Sequence, residues 1–421
     1  MDKEQRPVSG RQRIDYLDVL RGIAIFGILI TNIEWFSFYN PDHQGPFLFG
    51  SADRIVRVLQ FMFVEGKFYS IFSMLFGWGI AIQIKRFKND DKGAAAFIRR
   101  RLYFMMLLGG IHLTIVWEGD IVFFYALVGF VLLALRNLSN RTLLLTGILL
   151  LISPVVIYYL RMKIPFLHSP VAQLTQLGEH LYQRNGWTSQ DLDRTRVLIG
   201  SENIFTTIRI TLSDLPYRFT NLLYASRLPK VLGAMLVGFV IGRSHIYPKI
   251  LEHKRKISWL SIMVLLIALP LNYLMARHMY YSEFSFTWTT EGWYSTIAFA
   301  LGVFPLAMVY MLWAALLLDH KKMRKLLLPM IPVGKMAFTN YILQSLIGIV
   351  LFYGIGFGLA QQFGPLALTV IAFLIFIFQV LLSTIWLKYF RFGPVEFIWR
   401  SLTYGKIQPM RKLEKQNIDN H

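Results

Sequence analysis

The stretch Arg13-Ile-Asp-Tyr-Leu-Asp-Val-Leu-Arg-Gly22 runs without a break into the apolar residues Ile23 to Ile33, and it decides how the chain is read. It sets Asp15, Asp18 and Arg21 at the mouth of a membrane helix. An ionisable residue costs about 2.5–3.5 kcal/mol at the centre of an inserted helix and less near its end. Three of them at helical spacing mark a polar seam that faces protein or water. Arg21 and Asn32 are eleven residues apart, close to three turns and about 16 Å along the axis, so they share a face. Asp18 stands one turn before Arg21 and is placed to pair with it. The seam reads either as an inner anionic-ligand site beneath a polar track or as an ion pair that pins the helix end to a neighbour.

Composition extends the membrane reading to the whole chain. Its 421 residues are 55% hydrophobic, 15% aromatic and 16% charged, whereas soluble domains carry about 25% charged residues. Several stretches of about 18–22 apolar residues are long enough to cross a hydrocarbon core of roughly 30 Å. The expected fold is an all-α integral membrane protein, a bundle of about ten transmembrane helices. They are expected near 17–37, 66–84, 102–117, 121–136, 142–160, 228–243, 258–276, 293–317, 335–353 and 366–387. The first is read as a retained span, because Glu34 and Trp35 follow it with no small-residue cleavage pattern.

The net charge of +20 is placed like a topology signal. Lys3, Arg6, Arg11 and Arg13 fall on one side with Lys85, Arg86, Lys88, Lys92, Arg99 to Arg101, Arg136 and Arg141. Lys254 to Lys256, Lys321 to Lys325 and the tail from Lys406 to Lys415 join them, while the short loops 117–121 and 353–365 carry no Lys or Arg. The positive-inside rule then puts both termini in the cytoplasm. The charge is accounted for by topology and anionic lipid headgroups, and nucleic-acid binding is not expected. The absence of cysteine excludes disulfides, thiolate metal sites and cysteine nucleophiles. A bacterial cytoplasmic membrane is the expected location.

The expected organisation is a basic cytoplasmic N-terminus over 1–16, a first transmembrane half over 17–160 and an outer helical segment over 161–227. A second transmembrane half over 228–387 and a basic amphipathic tail over 388–421 follow. Residues 161–227 are read either as an extracytoplasmic cap over the bundle or as a spacer on the membrane. Residues 52–63 are read as an interfacial amphipathic helix. Oligomeric state stays open, because Ser70, Ser73, Gly77 and Gly79 support helix contacts within a chain or in a homo-oligomer.

His112 is the sharpest catalytic candidate. It lies eleven residues beyond Arg101, about 16 Å along a helix, and is followed by the tight turn Trp117-Glu-Gly-Asp120 and by Tyr125. A histidine within reach of a carboxylate, here Asp120 or Glu65, is the minimum kit for general-base chemistry. The bland alternative is a hydrogen-bonded packing histidine. Glu65-Gly-Lys67 opens the second span, to line a vestibule or to cap a helix end. Its Gly-Lys pair is echoed by Gly334-Lys335, a faint hint of an inverted repeat. Asn340 and Gln344 sit one turn apart beside Tyr341, either to bind a polar ligand or to join helices. No H-x-x-x-H or H-E-x-x-H spacing occurs, so no metal site is expected.

Five motifs in order resemble the YeiB family of bacterial membrane proteins, long catalogued by a domain of unknown function. They are R-I-x-x-L-D-x-L-R-G-x-A-x-x-G-I from Arg13, E-G-K-F-Y-x-x-F-S-x-L-F-G at 65–77 and G-x-H with W-x-G-D at 110–120. The others are G-K-M-A-x-T-N-Y at 334–341 and G-P-x-E-x-x-W-R-x-L-T-Y-G at 393–405. The L-D-x-L-R-G start is also similar to that of membrane acyltransferases of the heparan glucosaminide acetyltransferase-like group. That resemblance implies acyl-CoA as a cytosolic donor held by Asp18, Arg21, Arg99, Arg100 and Arg101. It implies that His112 or His43 acts as the catalytic histidine, with Asp120 or Glu65 in support. Asn32, Lys67, Trp117, Tyr125, Lys335, Asn340, Tyr341 and Gln344 would then surround an envelope glycan, lipid or small-metabolite acceptor. The competing expectations are a transporter of a small polar or anionic solute, with Asp18, Arg21, Glu65 and Lys67 along its path, and a non-catalytic lipid- or quinone-binding scaffold.

Overall fold

The computed structural model describes residues 15–39, 46–87, 90–244, 246–281 and 288–412. The expectations placed on His43, on the basic residues up to Arg13, on Lys88 and on Lys415 lie outside these residues. Among the described residues the chain is helical, and its β-pairing is limited to the isolated bridges Phe47–Phe363 and Phe390–Arg411. Helix α1 is Asp15–Phe36, α2 Ser51–Phe63 and α3 Lys67–Lys85. Helix α4, Asp91–Ile111, continues as a π-helical turn over His112–Val116, and α5 is Val122–Leu135. Then come α6 Asn140–Lys163, α7 Ser169–Arg184, α8 Gln190–Gly200, α9 Ile204–Tyr224 and α10 Arg227–Arg243. The chain continues with α11 Ile246–Glu252, α12 Lys254–Tyr281, α13 Thr290–Asp319 and α14 Lys321–Leu327. It ends with α15 Met330–Lys335, α16 Ala337–Phe352, α17 Pro365–Tyr389 and α18 Pro394–Tyr404.

A helix lies over each stretch expected to span. Among the described residues, six units are long and apolar enough to cross a membrane: α1, α2 with α3 over Ser51–Lys85, α6, α12, α13 and α17. Helices α5 and α16 are apolar but shorter. Helices α9 and α10 pass the same test only as a pair, bent by 62°. The boundary expected at 227 falls at the bend of this pair.

Glycine sets how closely the helices approach. Helix α3 lies along α10, α10 along α6, α1 against α15, and α12 against α13. A Cβ at Gly77 would stand 1.9 Å from the Met235 carbonyl oxygen, and one at Gly238 would stand 2.0 Å from that of Met74. Gly79, the other small residue on α3, has only an Arg21 nitrogen nearby, at 3.9 Å. Overpacking a close contact costs about 1–3 kcal/mol or more. Gly77→Ala is therefore expected to lower the thermal stability of the detergent-solubilised protein measurably. Gly79→Ala is expected to leave it within experimental scatter.

Two carboxylates cap helices across long sequence distances. Asp53 accepts the Leu366 amide at 2.9 Å and so holds the start of α17. Glu396 accepts the amides of Phe338 and Thr339 at 2.7 and 3.0 Å and the Thr339 hydroxyl at 2.5 Å, closing the start of α16. Orphan amides at a helix start favour such a partner. Burial nonetheless raises the Glu396 pKa above its ordinary 4.5, outweighing the donors that lower it. A carboxyl raised in the folded state contributes most below its unfolded pKa and loses that contribution as pH rises through the folded value. Glu396→Gln is expected to flatten this slope in thermal melts taken from pH 4 upward. Glu396→Ala is expected to cost about 1–3 kcal/mol at every pH by leaving the buried donors unmet.

Candidate functional site

The His112–Asp120 pair forms because α4 does not end as a regular helix. The Trp117 amide reaches back to the His112 carbonyl at 2.8 Å, closing a π-type turn, a distortion that recurs at functional positions. The chain then reverses over Trp117-Glu-Gly-Asp120 and enters α5. His112 Nδ1 lies 2.8 Å from Asp120 Oδ2, with His112 2% and Asp120 0% exposed. The other oxygen of Asp120 accepts the Phe123 amide at 2.7 Å, so one carboxylate caps α5 and orients the ring. Asp120 fixes the proton on Nδ1 and leaves Nε2 as the basic nitrogen. That Nε2 is buried and has no hydrogen-bond partner among the described residues. Asp120, not Glu65, is therefore the carboxylate at hydrogen-bond distance from His112. Tyr341 stands beside the imidazole, ring centres 5.3 Å apart, and its hydroxyl accepts the Ile121 amide at 3.2 Å.

Side chains from the 161–227 segment hold this turn in place. Arg218 on α9 donates to the carbonyls of Gly119 at 3.1 Å and Asp120 at 2.9 Å. Arg194 on α8 donates to Glu118 and, at 2.7 Å, to Asp214, which also accepts the Tyr182 hydroxyl at 2.7 Å. Burial pushes the Glu118 carboxyl up, against the pull of Arg194. Burial opposes charge on Arg194 as well, but Asp214 and Glu118 outweigh it and raise its pKa. Sequence reasoning missed Arg194, Asp214 and Arg218, because partners 76 and 98 residues away leave no local pattern.

The other proposed acceptor residues divide. Tyr125 donates to the Tyr69 carbonyl at 3.0 Å, meets Ser73 Oγ at 2.8 Å, and lines a cleft with Tyr69, Ile121 and Arg218. Trp117 is buried and packs at a tilt against Phe36, ring centres 4.2 Å apart. Lys67 is fully buried and donates to the Phe61 carbonyl at the end of α2. The amides of Asn340 and Gln344 bind Ser383 and Gln379 of α17, each at 2.9 Å, which makes a polar joint between α16 and α17. Gln379 and Ser383 lie one turn apart, a signal that was readable in the sequence. Asn32 and Lys335 are half-buried.

A second cluster gathers where the start of α1 and the middle of α4 carry the expected donor residues. Asp18 is fully buried and accepts from Arg21 at 2.8 Å. Arg101 lies 3.8 Å above the Trp399 ring, and the Trp399 indole donates to the Arg101 carbonyl at 3.0 Å. Arg100 donates to the Leu402 carbonyl at 3.1 Å, and Arg99 is exposed. Burial first, then the neighbouring cations Arg400, Arg21 and Arg86, push the Arg101 pKa down to about 9, still charged at neutral pH. Helix α18 thus brings a fifth arginine, Arg400, to the four among the expected donor residues, and Arg100 and Arg101 bind that helix as well.

Long apolar helices around buried polar clusters define a helical membrane protein. The comparisons then place it. It is 30% identical to the uncharacterized protein YxaH of Bacillus subtilis (strain 168), over 97% of this chain and 99% of the relative. It is 29% identical to the uncharacterized protein YeiB of Escherichia coli (strain K12), over 93% of this chain and 97% of the relative. An uncharacterized 39.9 kDa protein in the amylase 3' region of Bacillus acidopullulyticus is 25% identical over 96% of this chain and 97% of its own length. The family model for a protein of unknown function, DUF418, matches residues 241–406. The chain belongs to this YeiB-like family of unknown function. No solved structure matches it.

Proposed function

We propose that this protein is a multi-pass acyltransferase of a bacterial cytoplasmic membrane that passes an acyl group from cytosolic acyl-CoA to an acceptor on the far side. The reading takes about ten spans, with both termini cytoplasmic and 161–227 as the outer cap. The observation that carries it is the buried His112–Asp120 pair with an unpartnered Nε2. It sits eleven residues along one helix from the arginine cluster, about 16 Å away. Guanidinium groups match phosphate oxygens, and the phosphopantetheine arm is an extended chain of comparable reach. The thioester carbonyl would lie near His112. His112 Nε2 takes the proton of an acceptor hydroxyl or amine as that atom forms a bond to the carbonyl carbon. The C–S bond then breaks, and the departing CoA thiolate recovers the proton from His112. Asp120 orients the ring and stabilises the imidazolium.

The bend between α9 and α10 favours a second reading, transport of an anionic solute, because broken helices often frame transporter sites. Acyl-CoA binding to the folded, purified protein separates the two. Saturable micromolar binding from the cytoplasmic side, followed by appearance of the acyl group on an acceptor, supports transfer. Absence of binding removes the acyltransferase and leaves transport.

A further inference from the structure

Helices α9 and α10 meet beside the His112–Asp120 turn, and three cations gather there. Arg218 binds the Gly119 and Asp120 carbonyls through one terminal nitrogen, while its buried Nε has no partner among the described residues. Arg227 lies 5.6 Å above the Tyr69 ring, and Lys230 lies 4.0 Å above the Phe299 ring. Among the described residues, none of the three makes a salt bridge. Glu65 acts electrostatically on Lys230 and also on Lys67, and Asp120 and Glu118 act on Arg218. Positive charge therefore exceeds negative charge in a region walled by apolar helices, an arrangement that marks ligand pathways in membrane proteins.

The same cations line cavities. One is an open cleft bounded by Arg218, Arg227, Tyr69 and Tyr125 and walled by Leu228 and Val231. A second open cleft shares Tyr69 with it and sets Lys230 among Phe299, Val303 and Phe304. The first reaches Ile121, the residue after Asp120. We infer that these neighbouring clefts bind an anionic amphiphile, a phosphate-bearing headgroup between Arg218 and Arg227 with its hydrocarbon chain along the apolar walls. Resting on the acyl-transfer reading, this makes the acceptor a phosphorylated lipid presented to His112. The cavities themselves do not require that reading.

The test is equilibrium binding to the full chain in detergent, with phosphatidic acid as probe, uncharged diacylglycerol as control and inorganic phosphate in a parallel arm. Arg227→Gln is the main variant, because among the described residues Arg227 makes no hydrogen bond that the fold would lose. Arg218→Lys is the second, keeping charge while losing the fork. Saturable binding of phosphatidic acid, weakened about tenfold or more by Arg227→Gln and not competed by diacylglycerol, supports the site. Unchanged binding in Arg227→Gln, or equal competition by diacylglycerol, overturns it. Inorganic phosphate binding as tightly as phosphatidic acid overturns the amphiphile and leaves a free-anion site. Arg227-dependent lipid binding without any acyl-CoA binding keeps this site while removing the acyltransferase. Acyl-CoA binding without lipid binding does the reverse.

Discussion

His112→Ala is expected to abolish acyl transfer while leaving acyl-CoA binding intact. Removing a positioned general base typically costs about 10²–10⁴-fold in rate. Here the loss falls at the upper end, because Nε2 is the one basic nitrogen that Asp120 leaves available. Asp120→Asn is expected to approach that loss by a different route. Its amide still reaches the Phe123 amide and His112, but it admits the wrong tautomer, as in triads where such a change costs about 10⁴-fold. Single-turnover transfer of a radiolabelled acetyl group, read beside an acetyl-CoA binding isotherm, separates the chemical step from binding. Full transfer by His112→Ala protein would show that the histidine is only a packing residue.

Arg21 carries the second large effect. A charge-assisted hydrogen bond to phosphate is worth about 1.5–3 kcal/mol, so Arg21→Ala is expected to weaken acyl-CoA binding by roughly tenfold to a hundredfold. The same change removes one partner of the fully buried Asp18, at 2.8 Å, and breaking a buried pair costs up to about 3–5 kcal/mol. Loss of binding by Arg21→Ala alone is thus ambiguous. The double variant Asp18→Asn with Arg21→Gln removes both charges, and its melting temperature is expected to recover while acyl-CoA affinity stays low. Affinity that recovers with stability would assign Arg21 to the fold and not to the donor.

The helices and the central pair were legible because their causes are local. Apolar length predicts a buried helix wherever it occurs, and His112 and Asp120 are separated by a single short turn. The shorter α5 and α16 were legible too, although their 14 and 16 residues fall below the length of an ordinary span. Sequence alone did not show which of Asp120 and Glu65 meets His112, since both lie in turns beside spans. It also did not show that Lys67 would be consumed by the Phe61 carbonyl. The largest gap was α7 to α9. Arg194 and Arg218 read as ordinary charges on amphipathic helices until the fold sets them against the 117–120 turn.

That attachment divides the segment into a portion that tolerates change in length and a portion that does not. At Gly186, in the turn after α7, an added side chain would meet nothing within 4 Å, so an extra residue there extends a turn. Between Asp214 and Arg218 the same insertion would rotate one residue relative to the other by about 100°. Arg218 would then face away from the carbonyls of Gly119 and Asp120. Descendants of this chain can lengthen the segment near residue 186, whereas the spacing of Asp214 and Arg218 is fixed by the turn that both hold.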